Sequence, residues 1–388
     1  MSVSSERVVV FDTTLRDGEQ AAGVFFSRAA KIEIAELLDG MGVDVIEAGF
    51  PASSPGEHAS VSGVAAQVQH ASVCALSRAI PDEVDVTWRA IAAARDPRIH
   101  VFLSSSEIHL AHQLRRGADE VVEMARAAVA RARSHSANVE FSCMDATRSD
   151  PEFVARVVRA AIAEGAATIN LPDTVGCARP DQVAAMFRGL YARVPELAGV
   201  ITSFHGQDDL GMATANSLAA ISAGARQVEL AVNGLGERAG NTAFEEVLMA
   251  LRLHGESLGV HTGVDTKGIY RVSQAVARHS GIAVAPNKAI VGRNAFRHAS
   301  GIHQDGVLKN RGTYEAIDPA EIGHPVGTEI VLGKLSGRHG FASRARDLGF
   351  HLDGPALDRA FERFQRVADQ RGEISDREVV ALCCGAPA

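Results

Sequence analysis

Residues 200–241 read VITSFHGQDDLGMATANSLAAISAGARQVELAVNGLGERAGN. The opening Val200-Ile201-Thr202 is apolar and β-branched, and the run ends in His205-Gly206-Gln207. A helix starts after Asp208-Asp209. A second apolar run, residues 228–232, leads into a glycine-rich turn, residues 233–241. Side chains two apart on a strand face the same way. His205 and Gln207 therefore project from one strand end toward one point, and Asn241 reaches that point from the loop after the next strand. The pattern predicts a metal site at the C-terminal rim of parallel strands.

Outward from this stretch the same alternation recurs. Strand-like runs at residues 8–13, 43–50, 72–76, 99–104, 139–143, 168–171, 200–204 and 228–232 are separated by amphipathic segments. In the first segment Ile34, Leu37, Leu38 and Met41 recur at helical spacing, Ser27 reads as the N-cap, and Gly40 and Gly42 end the helix. Strands joined through helices run parallel, because a short turn cannot return the chain to the same end. Eight such units in about 250 residues predict an α/β fold of the closed (β/α)8 TIM-barrel type over residues 1–262. An open doubly wound sheet is the alternative, and no GxGxxG fingerprint follows the first strand to support it.

Polar residues cluster where such barrels carry their active sites. Arg16 and Asp17, Arg78, residues 104–106, Asp145, Asp173 and Thr174, His205 and Gln207, and Asn233 all fall at strand C-termini. From residue 263 to 388 the β/α rhythm stops and a helical appendage is predicted. It includes one stretch dense in chemistry, residues 296–314, FRHASGIHQDGVLKNRGTY.

The 388 residues are 46% hydrophobic and 22% charged, with a formal net charge of −8. That composition suits a chain with a large core. The acidic balance, without a Lys/Arg stripe, argues against nucleic acid or an anionic membrane as partner. No apolar run approaches the roughly 18 residues that span a bilayer. The N-terminal apolar run is too short for a secretory leader. Cys74, Cys143, Cys177, Cys383 and Cys384 form no CxxC pair, which fits a reduced, cytoplasmic setting.

Five motifs, in order, carry a resemblance: DTTLRDGEQ from Asp12, INLPDTVG from Ile169, HGQDDLGMATANSLAA from His205, NGLGERAGN from Asn233, and SGIHQDGVLKN from Ser300. They resemble the 2-isopropylmalate, homocitrate and citramalate synthase family, most closely its isopropylmalate branch. The resemblance implies condensation of acetyl-CoA, as co-substrate, with a 2-oxo acid on a barrel that binds a divalent metal (Mg, Mn or Zn). It implies Asp17, His205, Gln207 and Asn241 as metal ligands, with two positions open to the oxo acid's carbonyl and carboxylate, where the metal acts as a Lewis acid. It implies Arg16 opposite the alkoxide that develops on the attacked carbonyl. Gln20, His100, Ser142, Asn170 and Thr174 are implied around the oxo acid. Asn233, Gly234, Gly236, Glu237 and Gly240 are implied against acetyl-CoA, glycine allowing close backbone approach. His303 and Tyr314 are implied to serve proton transfer at the acetyl group, from the appendage of a partner subunit in a homodimer with a shared active site.

The sequence departs from that family pattern at three places. The usual His-x-His is His205-Gly206-Gln207. Gln offers a neutral amide oxygen, a harder and weaker donor than imidazole, so the site leans to magnesium or manganese over zinc. The usual glutamate of the fifth-strand motif is Met144, in Phe141-Ser142-Cys143-Met144-Asp145, and Met cannot carry a proton. The chain also lacks the length of members with a C-terminal regulatory domain, so feedback through such a domain is not expected. Three readings follow: a synthase acting on a non-standard 2-oxo acid, a non-catalytic binding protein on the same scaffold, and a metal-dependent C–C lyase. All three need Asp17 and His205 to meet at one end of the barrel.

Overall fold

The computed structural model describes residues 5–385. Eight parallel strands close into a barrel in sequence order: Val9–Asp12, Val45–Glu47, Ser72–Arg78, Pro97–Ser104, Val139–Met144, Thr168–Asp173, Ile201–Gly206 and Gln227–Leu230. The last pairs with the first, Val9 opposite Gln227 and Asp12 opposite Leu230. The outer helices begin where local chemistry caps them. Ser27 accepts from the Ala30 N–H at the start of Arg28–Gly40. Ser54 and Asp150 cap Pro55–Gln67 and Pro151–Ala163, each with proline at the first helical position, where a missing N–H costs nothing.

The barrel interior is apolar on one side, where Phe11, Val45 and Cys74 pack with Val9. Elsewhere it is built of polar layers that climb by the two-residue period of the strand. Arg98, Glu140, Ser203 and Gln227 form the lowest. Arg98 Nη1 donates to Glu140 Oε2 (3.1 Å) and Gln227 Oε1 (2.7 Å), and Gln227 Nε2 donates to Ser203 Oγ (3.0 Å). Two residues up the same strands lie His100, Ser142, His205 and Glu229. A further two bring Phe102, Met144 and Gln207 to the rim.

Compact units divide between Val284 and Ala285. That is later than the 262/263 boundary at which the β/α rhythm fades. The reason is the helix Ile269–Ser280, which buries Ile269, Val272 and Val276 in the barrel unit and accepts a hydrogen bond from Asn233 at Ser273 O. The second unit has its own core around Phe341, Phe364, Leu357 and Leu382. Its helices Gly301–Lys309, Arg338–Asp347, Gly354–Ala368 and Asp376–Cys384 make it helical, with one two-residue parallel strand pair. No helix among the described residues is long and apolar enough to cross a membrane.

Candidate active site

A cavity of about 220 Å³ opens at the C-terminal ends of the barrel strands. Arg16, Asp17, Gln20, His100, Ser142, Asn170, Thr174, His205, Gln207 and Glu237 line it, together with an apolar wall of Phe50, Leu76, Phe102, Met144 and Pro172.

Asp17 and His205 meet on one side of this cavity, with His205 Nε2 at 3.7 Å from Asp17 Oδ2. Gln207 joins them from two residues along the same strand. Its Nε2 lies 3.1 Å from Asp17 Oδ2 and 3.3 Å from His205 Nε2. An isolated antiparallel bridge between Gln207 and Asn241 delivers the fourth residue, whose Nδ2 donates to Leu235 O (2.9 Å). All four are buried. Burial alone would raise the Asp17 carboxyl, but the charge of Arg16 and the hydrogen bond from the Glu237 N–H act against it, and the group is held below the usual carboxylate range.

These residues fit a divalent cation. Gln207 Oε1 and Asn241 Oδ1 are buried without a hydrogen-bond partner, and an orphaned buried acceptor costs about 1–3 kcal/mol. A half-turn of the Gln207 amide presents that oxygen to Asp17 and His205, since the two ends of the amide differ little in shape. His205 is prepared by Glu229, which lies 2.9 Å from Nδ1. A proton held on Nδ1 leaves Nε2 with its lone pair toward Asp17, the tautomer a metal needs. Two deeper clusters, Glu47–Cys74–His100 and His100–Glu140–Glu229, also gather ligand-type atoms. They offer no free imidazole nitrogen, because His100 is engaged at Nδ1 by Glu47 (2.8 Å) and at Nε2 by Ser142 (2.7 Å).

Arg16 is held as a fork. Its Nε donates to Glu47 Oε2 (2.7 Å) and its Nη1 to Asp17 Oδ2 (3.0 Å). Glu47, fully buried, would be raised by that burial, but Arg16 and His100 keep it well below the usual range. His100 is raised by Glu47 against the opposing effect of burial. Asn170 Nδ2 donates to Ser142 Oγ (2.8 Å), so Glu47, His100, Ser142 and Asn170 form one hydrogen-bonded chain along the cavity floor.

The glycine-rich turn also needs its glycines for its own packing. A Cβ at Gly236 would lie 2.1 Å from Asn241 Nδ2, and one at Gly240, where φ is +100°, 2.0 Å from the Gly234 carbonyl. The glycines let the turn fold onto itself and set Asn241, while the Glu237 N–H donates to Asp17 Oδ1 (3.1 Å). Asn233 turns away from the cavity: Nδ2 donates to Ser273 O, and Oδ1 accepts from Ser273 Oγ. Thr174 Oγ1 accepts from the Asp145 N–H (2.9 Å), and Gln20 is exposed at the mouth. Arg78, one of the rim residues, points outward to Glu83. In the second unit His303 and Tyr314 lie ring against ring, centroids 4.1 Å apart.

Sequence reasoning passed over Glu47 and Glu229, the carboxylates that orient Arg16 and His205. Each was marked as a lone acid inside an apolar strand run, Val45-Ile46-Glu47 and Val228-Glu229-Leu230. A buried acid there needs a cationic or N–H partner.

The HMGL-like family profile matches residues 7–276, and a homocitrate synthase post-HMGL domain-like profile matches residues 290–372. The chain is 50% identical over 378 residues to 2-isopropylmalate synthase of Pelotomaculum thermopropionicum, covering 97% of this chain and 75% of that one. It is 50% identical over 379 residues to 2-isopropylmalate synthase of Methylobacterium nodulans, covering 98% and 73%. Among solved structures, hydroxymethylglutaryl-CoA lyase from Pseudomonas aeruginosa superposes with a TM-score of 0.62 at 22% identity, over 79% of this chain and 99% of that one. HMG-CoA lyase from Brucella melitensis gives 0.59 at 25% identity, over 71% and 100%.

Proposed function

We propose, from the premise that this chain belongs to the HMGL-like family and within it to the 2-isopropylmalate synthases, that it condenses acetyl-CoA with a 2-oxo acid and releases CoA. The observation that carries the reading is the convergence of Asp17, His205, Gln207 and Asn241 beside Arg16 at one side of the cavity.

Asp17, His205, Gln207 and Asn241 hold a divalent cation, which when bound polarises the carbonyl of the oxo acid. Gln207 tilts the choice toward magnesium or manganese over zinc. Arg16, fixed by Glu47 and Asp17, faces the oxygen on which negative charge develops and is organised before reaction. Ser142, Asn170 and His100 line the oxo-acid pocket, with His100 holding Ser142 in place, and Gln20 and Thr174 close around the oxo acid. The apolar wall takes the oxo-acid side chain, and Met144 leaves that wall without a charge. The glycine-rich turn 233–241 lies toward acetyl-CoA and contributes Glu237 at the cavity edge. His303 and Tyr314, from the second unit of a partner subunit in a homodimer, move the proton at the acetyl methyl. A cytoplasmic setting fits the acidic composition and the buried free thiols of Cys74 and Cys143.

Thiol release from acetyl-CoA, measured with magnesium or manganese across a panel of 2-oxo acids, tests the reading. No CoA from any member would overturn it. Met144 and the amide at Gln207 also support a second reading, a non-catalytic binding protein. Activity that appears only after Gln207→His with Met144→Glu selects that one.

A further inference from the structure

We infer that Lys31 is a positioning residue whose ammonium ties the first two strand-end loops together and so sets Arg16 and Asp17. Lys31 lies on the helix Arg28–Gly40 and its side chain is completely buried. It is absent from the cavity lining, so it acts through other residues. Its Nζ donates to the carbonyls of Leu15 (3.0 Å) and Ala48 (3.3 Å). Leu15 immediately precedes Arg16, and Ala48 immediately follows Glu47. The two backbone oxygens held by this one ammonium thus flank the two partners of the Arg16–Glu47 bond.

One N–H remains after the two carbonyls, and two carboxylates share it. Lys31 Nζ lies 2.7 Å from Glu19 Oε2 and 2.7 Å from Glu57 Oε1. Glu19 accepts from the Phe26 N–H (2.8 Å) and Glu57 from the Phe50 N–H (3.1 Å). Glu19 adjoins Gln20, and Gln20 and Phe50 both line the cavity. Gly49, at φ +151°, lets Glu57 in; a Cβ there would sit 1.8 Å from Glu57 Oε1. A buried charge placed on two backbone carbonyls and two carboxylates is costly to assemble and costly to break. Here it joins the two strand-end loops that deliver Arg16, Asp17, Gln20 and Phe50 to the cavity. The role rests on the proposed reading of Arg16 and Asp17, and the test separates the two.

The test compares Lys31→Met with wild type and with Val129→Ala, a core truncation on the helix Ala118–Arg133 that reports general loss of stability. All are assayed well below their melting temperatures. In Lys31→Met, Mn²⁺ affinity by calorimetry is expected to fall about tenfold. The kcat is expected to fall on the order of tenfold to a hundredfold, with KM for acetyl-CoA little changed. Amide exchange is expected to quicken over residues 13–26 and 47–51 and stay unchanged over Val139–Met144. If Lys31→Met does not fold, Glu57→Gln, which keeps the ammonium and both carbonyl bonds, gives the same readouts at smaller amplitude. Indistinguishable behaviour of the Lys31 (or Glu57) and Val129 variants in all three measurements overturns the proposal. A wild type that releases no CoA overturns the proposed reaction instead, and exchange over residues 13–26 still decides the role of Lys31.

Discussion

Glu229→Gln separates metal affinity from fold stability. Glu229 Oε2 lies 2.9 Å from His205 Nδ1, and both side chains are buried, at 0% and 7% exposure. The carboxylate can only accept, so it fixes the imidazole proton on Nδ1 and leaves Nε2 to ligate. The amide of Gln has nearly the same shape but can also donate to Nδ1, which stabilises the tautomer with Nε2 capped by hydrogen. Where it still accepts, it replaces a charge-assisted bond of about 1.5–3 kcal/mol with a neutral one of about 0.5–1.5. Loss of such an outer partner typically lowers metal affinity about 10–100-fold. At a Mn²⁺ concentration about 100 times the wild-type Kd, binding stabilises the fold by about 2.7 kcal/mol; the variant keeps only about 1.4 to 0.4. The metal-free protein should lose only the difference between the two bonds, about 1 kcal/mol, and part of that is offset. Glu229 raises the carboxyl of its buried neighbour Glu140, so removing its charge relieves repulsion. The assay is thermal unfolding with chelator and with excess Mn²⁺, beside a Mn²⁺ titration at neutral pH. A Kd within about twofold of wild type, against the outer-partner range, would refute the tautomer argument. So would equal loss of stability with and without metal.

Two further outcomes follow from the same site. Arg16→Lys should lower kcat by about 10²–10³ with a smaller effect on KM, because one ammonium cannot reproduce the planar fork to Glu47 and Asp17; steady-state rates decide, and a kcat near wild type rejects Arg16 as the charge stabiliser. Asp12 is fully buried, and desolvation lifts its carboxyl to about 7 against the hydrogen bonds from Thr14. A folded value above the unfolded one means that the stability linked to its proton is complete below the unfolded value near 3.8 and is lost as pH rises through about 7. At 1.36 kcal/mol per unit this amounts to as much as roughly 4 kcal/mol. Asp12→Asn should therefore flatten the fall in stability between the unfolded value near 3.8 and about pH 7 in urea titrations, and an unchanged slope counts against a titrating Asp12.

The barrel could be read in the sequence because its signals are local. Eight apolar runs with capped amphipathic segments between them leave few topologies, since parallel neighbours need a helical crossover. The two-residue period was equally legible: His205 and Gln207 share a strand face whatever the rest of the chain does. So was the arrival of Asn241, whose approach depends on a turn nine residues long. Other features were fixed only by strands far apart in sequence lying side by side. Nothing near Glu47 says that it bonds both Arg16 and His100, or near Glu229 that it orients His205, because these contacts arise only when the barrel closes. The turn glycines read as room for a ligand; only the folded packing shows that Gly236 and Gly240 also make room for Asn241 and the Gly234 carbonyl. Periodicity is a property of the backbone and survives without neighbours. The partner of a buried charge is chosen by whatever the folded interior places within about 3 Å of it.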